Sequence, residues 1–192
     1  MRKSPLLAVL AFVTASSTLL SACVPVVIGA AVAGTALVVA DRRSVGAQAD
    51  DEAIELKIAE QRNTRYGDRV HVNVTSYNGI VLLTGEVPDE ATKRDIAQLA
   101  RGTDRVRAVH DEIAVRPNTP MSERTNDTYL TGLVKSRFVE KNQFSATHVK
   151  VVTERGVVYL MGIVNRNEGD AAGQIAATTS GVQRVVKVFE YV

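Results

Sequence analysis

One cysteine, Cys23, stands in the 192 residues. A lone cysteine excludes an intramolecular disulfide and leaves the thiol free to act as an anchor. Only three histidines are present, His71, His110 and His148. None is expected to have a second ligand in register, so no metal site and no cofactor is expected. Long apolar runs are also short here. Residues 24–40 (VPVVIGAAVAGTALVVA) form a 17-residue stretch without a charge. At about 1.5 Å per residue it reaches roughly 25 Å, less than the ~30 Å hydrocarbon core of a bilayer. Pro25, Gly29 and Gly34 interrupt it further.

The N-terminus has its own pattern. Met1-Arg2-Lys3 is basic, Leu6 to Leu20 is mostly apolar, and small residues follow in Leu20-Ser21-Ala22-Cys23. This order reads as a secretory signal. The last four residues resemble the lipobox of bacterial lipoproteins. That resemblance implies cleavage after Ala22, removal of residues 1–22 and acylation of Cys23. Loss of Arg2 and Lys3 brings the 23 basic residues down to 21, level with the 21 acidic ones. Zero net charge argues against a general polyanion binder, so any basic site must be a local patch. Residues 23–47 are expected to be a tether, polar from Asp41 onward (DRRSVGAQADD). Stretched out it reaches roughly 90 Å, so the folded part can stand off a membrane or bend back to touch it.

The chain then repeats itself. Gly79-Ile-Val-Leu-Leu-Thr-Gly-Glu-Val87 and Gly156-Val-Val-Tyr-Leu-Met-Gly-Ile-Val164 share G-x-V-x-L-x-G. Asp51 to Ile54 aligns with Asp127 to Leu130, His71 with His148, and Gly102 with Gly181. Self-similarity at this spacing means two copies of one unit. The copies are set at 48–115 and 126–192. Residues 116–125, with Pro117 and Pro120, are the expected linker. Each copy is long enough for a small core of its own.

Periodicity inside a unit gives the fold class. Ile54 and Ile58 share a helix face, and Val70, Val72 and Val74 alternate as in a half-buried strand. Asn78-Gly79 suits a two-residue hairpin turn. Pro88-Asp89 opens a helix over about 89–101, and Gly102 closes it. Val106, Val109, Ile113 and Val115 mark a third strand. The class is α+β, two tandem αββαβ units, each a three-stranded sheet packed against two helices. Which strand is central stays open. Asp50-Asp51 and Asn126-Asp127 are expected as helix N-caps. The second glycine of the motif is expected to permit a close helix–strand approach.

An αββαβ unit with G-x-V-x-L-x-G and a later Gly-x-x-Arg-Val resembles the BON domain, a small periplasmic module. A lipobox followed by two such units is similar to dual-BON outer-membrane lipoproteins. The resemblance covers essentially the whole mature chain. It implies a lipid-anchored protein of the outer membrane facing the periplasm. It also implies binding of anionic phospholipid (phosphatidylglycerol or cardiolipin-like) by the second domain. Roles in outer-membrane integrity and at division sites follow from it, with assembly or division machinery as further partners. Val24 after the cysteine, in place of Asp, fits outer-membrane sorting in such families.

The copies differ on their first helix. Ala53, Lys57, Arg62 and Asn63 of the first become Tyr129, Leu133, Phe138 and Val139 of the second. With Tyr129 at zero on a helical wheel, Leu130, Val134 and Phe138 fall at about 100°, 140° and 180°, the core arc. Tyr129, Leu133 and Val139 fall outside it at about 0°, 40° and 280°. Lys135, Arg137 and Lys141 add positive charge. Apolar groups with an interfacial tyrosine and flanking cations read as a membrane-surface helix. The candidate lipid-binding set is Tyr129, Gly132, Leu133, Lys135, Ser136, Arg137, Val139 and Lys141. Packing of Tyr129 and Leu133 against the first domain is the competing reading, and docking to a protein machine is the competing function. No phosphate loop is present, because the motif glycines bracket strands. The nucleic-acid-binding GXXG loop of KH modules is absent, so nucleic acid is not an expected partner. No carboxylate stands in an apolar setting that the sequence reveals. The chain is not expected to be an enzyme.

Overall fold

A computed structural model describes residues 41–192. The expected signal segment, Cys23 and the tether up to residue 40 lie outside the described residues. The first unit runs α1 (Val45–Tyr66), β1 (His71–Tyr77), β2 (Ile80–Val87), α2 (Glu90–Arg101) and β3 (Ala108–Val115). The second runs α3 (Met121–Lys141), β4 (Lys150–Glu154), β5 (Val157–Val164), α4 (Arg166–Ala177) and β6 (Arg184–Tyr191). This is the expected α+β class of two αββαβ units. The G-x-V-x-L-x-G strand is central in both, with sheet orders β1-β2-β3 and β4-β5-β6. Its hairpin partner is antiparallel and the strand after the crossover is parallel.

The hairpin turns are set by residues that tolerate positive φ. Asn78 and Gly79 sit at φ 51° and 73°, and Arg155 and Gly156 at 51° and 70°. Their backbone N–H groups need acceptors. Aspartates on the first helices supply them. Asp51 accepts from Asn78 N at 2.7 Å and Gly79 N at 2.8 Å. Asp127 accepts from Arg155 N at 2.7 Å and Gly156 N at 2.8 Å. The expected capping role of Asp50-Asp51 and Asn126-Asp127 is thus corrected. α1 starts earlier, capped by the Ser44 hydroxyl, and both aspartates are interior helix residues that clamp the hairpin turns.

Asp51 is buried and also holds Ser76 Oγ at 2.6 Å and Arg43 Nη1 at 2.8 Å. Burial alone would raise its pKa. The bonds from Ser76, Gly79, Arg43 and Asn78 outweigh that and leave it below the ordinary 3.8. A lowered carboxylate pKa gives stability that is present above the unfolded value and lost as pH falls through the folded one. Asp51→Asn is therefore expected to lose about 2–3 kcal/mol at neutral pH. The gap to the parent should close only below the ordinary carboxylate range. Urea titrations at a series of pH values check this; a pH-independent gap would contradict it.

The motif's second glycine differs from expectation as well. A Cβ on Gly85 would lie 2.0 Å from the carbonyl oxygen of His71, and one on Gly162 2.2 Å from that of His148. The close approach is strand to strand, across the hairpin, and not helix to strand. The helix α3 reaches back to Met121, so the segment expected to link the units over 116–125 is extended only as far as Pro120.

Each unit has a core between sheet and helices. Ile54, Ile58, Val72, Val81, Leu83 and Ile96 form one, and Val134, Phe138, Val151, Val158, Leu160 and Ile175 the other. Strand alternation puts the other residues of β2 and β5 on the opposite face. There Tyr77, Leu82, Tyr159, Met161 and Val188 make a third, shared cluster. The two sheets pack face to face with the helices outside. Each of those buried side chains contributes about 1.5–3 kcal/mol. The units accordingly support one another and do not rest on independent cores alone.

The chain segments that enter the units reinforce this reciprocally. Arg42, just before α1, bonds Ile163 O and Glu168 of the second unit. Thr119, just before α3, bonds Glu86 of the first. Ile163 and Glu86 are aligned positions in the repeat.

Candidate lipid-facing site

α3 forms because an apolar residue recurs every turn on one side: Leu130, Val134 and Phe138, all buried. Asn142, left-handed at φ 46°, ends it, its N–H bonded to Phe138 O. Phe138 also meets Phe144 edge-on at 5.0 Å between ring centroids. This fixes the opposite face outward. Tyr129 is 66 % exposed and Val139 68 %. Tyr129, one of the two residues in the competing reading, is thus largely open to solvent, while Val139 borders a recess shared with Tyr77 of the first unit.

The rest of the expected set divides. Gly132, Lys135, Ser136 and Lys141 are exposed. Leu133 is half-buried. Its place at about 40° borders the core arc, so only one side of it faces solvent. Arg137 is drawn inward: its Nη1 donates to Ile175 O at 3.1 Å and Thr179 Oγ1 at 2.7 Å. It adds a charged donor to the Ile175 carbonyl in the last turn of α4, which also accepts from the Thr178 and Thr179 hydroxyls. Among the cations of the expected set, Lys135 and Lys141 are the ones left on the surface.

One residue of this face was missed from sequence. Met121 is 71 % exposed and falls at about 280°, the meridian of Val139. It lies in the expected linker, 116–125, ahead of the expected N-cap at Asn126-Asp127. Pro120, the extended N-cap of α3, has no N–H to leave unpaired and marks the start just before Met121. Met121, Tyr129 and Val139 run along roughly 27 Å of helix. α1 also exposes apolar residues, Val45 and Leu56, but has alanine and asparagine, Ala53 and Asn63, where α3 has Tyr129 and Val139.

The base of the tether arrives beside this face. Asp41, Arg43 and Tyr77 line a recess of about 360 Å³ together with Lys135 and Val139. The Arg43 guanidinium lies 4.1 Å from the Tyr77 ring centroid and pairs with Asp41 and Asp51 at 2.7 and 2.8 Å. Arg42 pairs with Glu168 at 2.7 Å. The chain entering from the N-terminal tether is therefore fixed next to the exposed side of α3.

The family of this architecture follows from comparison with known proteins. The model of the BON domain matches residues 50–117 and again 126–192. The chain belongs to the BON domain family. It is 39 % identical over 184 residues to the outer membrane lipoprotein DolP of Haemophilus influenzae, covering 95 % of each chain. It is 34 % identical over 154 residues to a 21 kDa hemolysin of Actinobacillus pleuropneumoniae, covering 79 % of each. It is 30 % identical over 148 residues to the osmotically-inducible protein Y of Escherichia coli, covering 73 % of this chain and 72 % of that one. α3 is thus the first helix of the second BON domain, and α1 that of the first.

Proposed function

We propose that this chain is an outer-membrane lipoprotein, acylated at Cys23 and facing the periplasm. Its second BON domain reads anionic phospholipid through the exposed face of α3. The observation that carries this reading is the joint placement of Tyr129 and Val139, both outward, with Lys135 beside the base of the tether. An acyl chain already holds the protein on the membrane, so the value of the helix is selectivity. A domain tethered at millimolar effective concentration occupies even a weak site. Lys135 and Lys141 each contribute about 1 kcal/mol near an anionic surface. Tyr129, Val139 and the exposed side of Leu133 sit at headgroup depth. Gly132 and Ser136 let the helix backbone approach, and Arg137 braces the helix against α4. The role is binding and not catalysis. By its resemblance to dual-BON lipoproteins it supports outer-membrane integrity at division sites.

Residues 41–192 hold every element of both domains, so vesicle flotation of that chain separates lipid reading from anchoring. It should float with phosphatidylglycerol vesicles and not with phosphatidylcholine ones. Raising the salt from 50 mM toward 0.5 M, roughly, should release it, because the attraction is screened over about a Debye length. Equal flotation with both lipids, or none with either, favours a protein partner for the same face.

A further inference from the structure

We infer that His71, Glu86 and Glu154 form a site for a divalent transition-metal ion at the seam between the two domains. A ring nitrogen of His71 and one oxygen from each carboxylate all lie within 4.8 Å of one another. His71 and Glu86 face each other across β1 and β2 of the first domain, and Glu154 comes from β4 of the second. The expectation that His71 has no second ligand in register is therefore corrected: Glu86 is directly opposite it, at 2.9 Å.

These carboxylates are not there for packing. Glu86 is fully buried and Glu154 is 3 % exposed. The aligned position of Glu86 in the second domain is Ile163, and that of Glu154 in the first is Tyr77. The same fold therefore accepts apolar or aromatic side chains at both places. Exchanging buried charges for well-packed apolar residues is commonly neutral or stabilising. Two acids brought together from different domains at such positions need a counter-charge. Arg155 Nε gives part of it, 3.4 Å from Glu86 Oε1. Thr119 and Asn73 add hydrogen bonds to Glu86 and Glu154.

The donor set selects the ion. One imidazole nitrogen and two carboxylate oxygens suit Zn²⁺ or Mn²⁺. Ligand atoms around a tetrahedral Zn²⁺ stand roughly 3.3 Å apart, so small side-chain rotations close the trio on a metal. A recess of about 380 Å³, lined by His71, Asn73, Arg124, Thr131 and Glu154, opens onto it. It gives an ion a way in and leaves a ligand position for water. With two ligands from one domain and one from the other, the metal would fasten the sheets together.

The test uses the full-length chain in detergent, stripped with chelator and titrated with ZnCl₂. Calorimetry and thermal melting are read together. One Zn²⁺ per chain and a higher melting temperature are expected. Glu154→Gln and His71→Asn should each weaken binding more than about tenfold and abolish the rise. His148→Asn, at the aligned position in the second domain, should leave both unchanged. Melts in chelator show whether Glu154→Gln is folded; if it is not, His71→Asn at its half-buried position decides. Absence of binding in the parent, or parent-like binding in the variants, overturns the site.

Discussion

Gly85→Ala is expected to lose more than about 4 kcal/mol, enough to leave a domain of ordinary stability marginal or unfolded. The added Cβ would stand 2.0 Å from the His71 carbonyl oxygen and 2.9 Å from its carbon. Gly85 also sits at φ 112°, where side chains are rarely tolerated. Relief requires β1 to move off β2, and the Val72↔Gly85 pairing goes with it. His71 would move too, and with it the contact to Glu86. Gly162→Ala has the same clash, at 2.2 Å from His148 O. It lacks the positive φ and should lose somewhat less. Gly132→Ala serves as control, because a Cβ there meets nothing within 4 Å. Guanidinium titrations of the three variants measure this. A loss of no more than about 1 kcal/mol for Gly85→Ala would mean that the strands do not meet this closely.

The second large effect is on binding. Tyr129→Glu should weaken association with phosphatidylglycerol vesicles by about thirtyfold or more, roughly 2 kcal/mol. About half of that comes from placing a negative charge against an anionic surface. The remainder is the lost insertion of the ring at the interface. The domain should stay folded, since Tyr129 is largely exposed and the aligned residue in the first domain is alanine. Ala53→Glu, the same change on α1, should leave binding intact. Vesicle flotation with matched melting curves reads both. Parent-like binding by Tyr129→Glu, or equal losses from the two variants, would contradict the assignment to α3.

The elements of the fold were legible because short-range rules decide them. Val81 and Leu83 face Ile58 and Ile96 by strand and helix period, and Asn78-Gly79 turned where its φ values allow. The shared layer between the sheets was harder to see. Its signal is present: Ile80 to Leu83 and Val157 to Met161 are apolar at every position, as in a strand buried on both faces. That pattern shows that a second face is covered and cannot show by what. The carboxylates at the seam are illegible for the same reason. Glu86 looks like an ordinary surface residue of a hairpin until Thr119, Arg155 and Glu154 arrive from elsewhere in the chain. Burial then pushes the Glu154 carboxyl pKa up, reinforced by the charge of Glu86. Asp51 and Asp127 misled because an aspartate near a helix start has two uses, and only the position of the turn distinguishes them. On α3, the outward placement of Tyr129 and Val139 was legible by subtraction of one repeat from the other. The inward turn of Arg137 was not, because the carbonyl it bonds belongs to a helix end nearly forty residues away.

The most direct measurement of lipid contact uses a single cysteine. Residues 41–192 contain none, so one can be placed at Val139 or at the aligned Asn63 and labelled with an environment-sensitive fluorophore. Phosphatidylglycerol bilayers carrying depth-resolved quenchers are then added. The account predicts that the label at 139 shifts to the blue and is quenched at headgroup depth, while the label at 63 stays in water. A water-like signal at 139, or the same response at both positions, would contradict α3 as the lipid-reading surface.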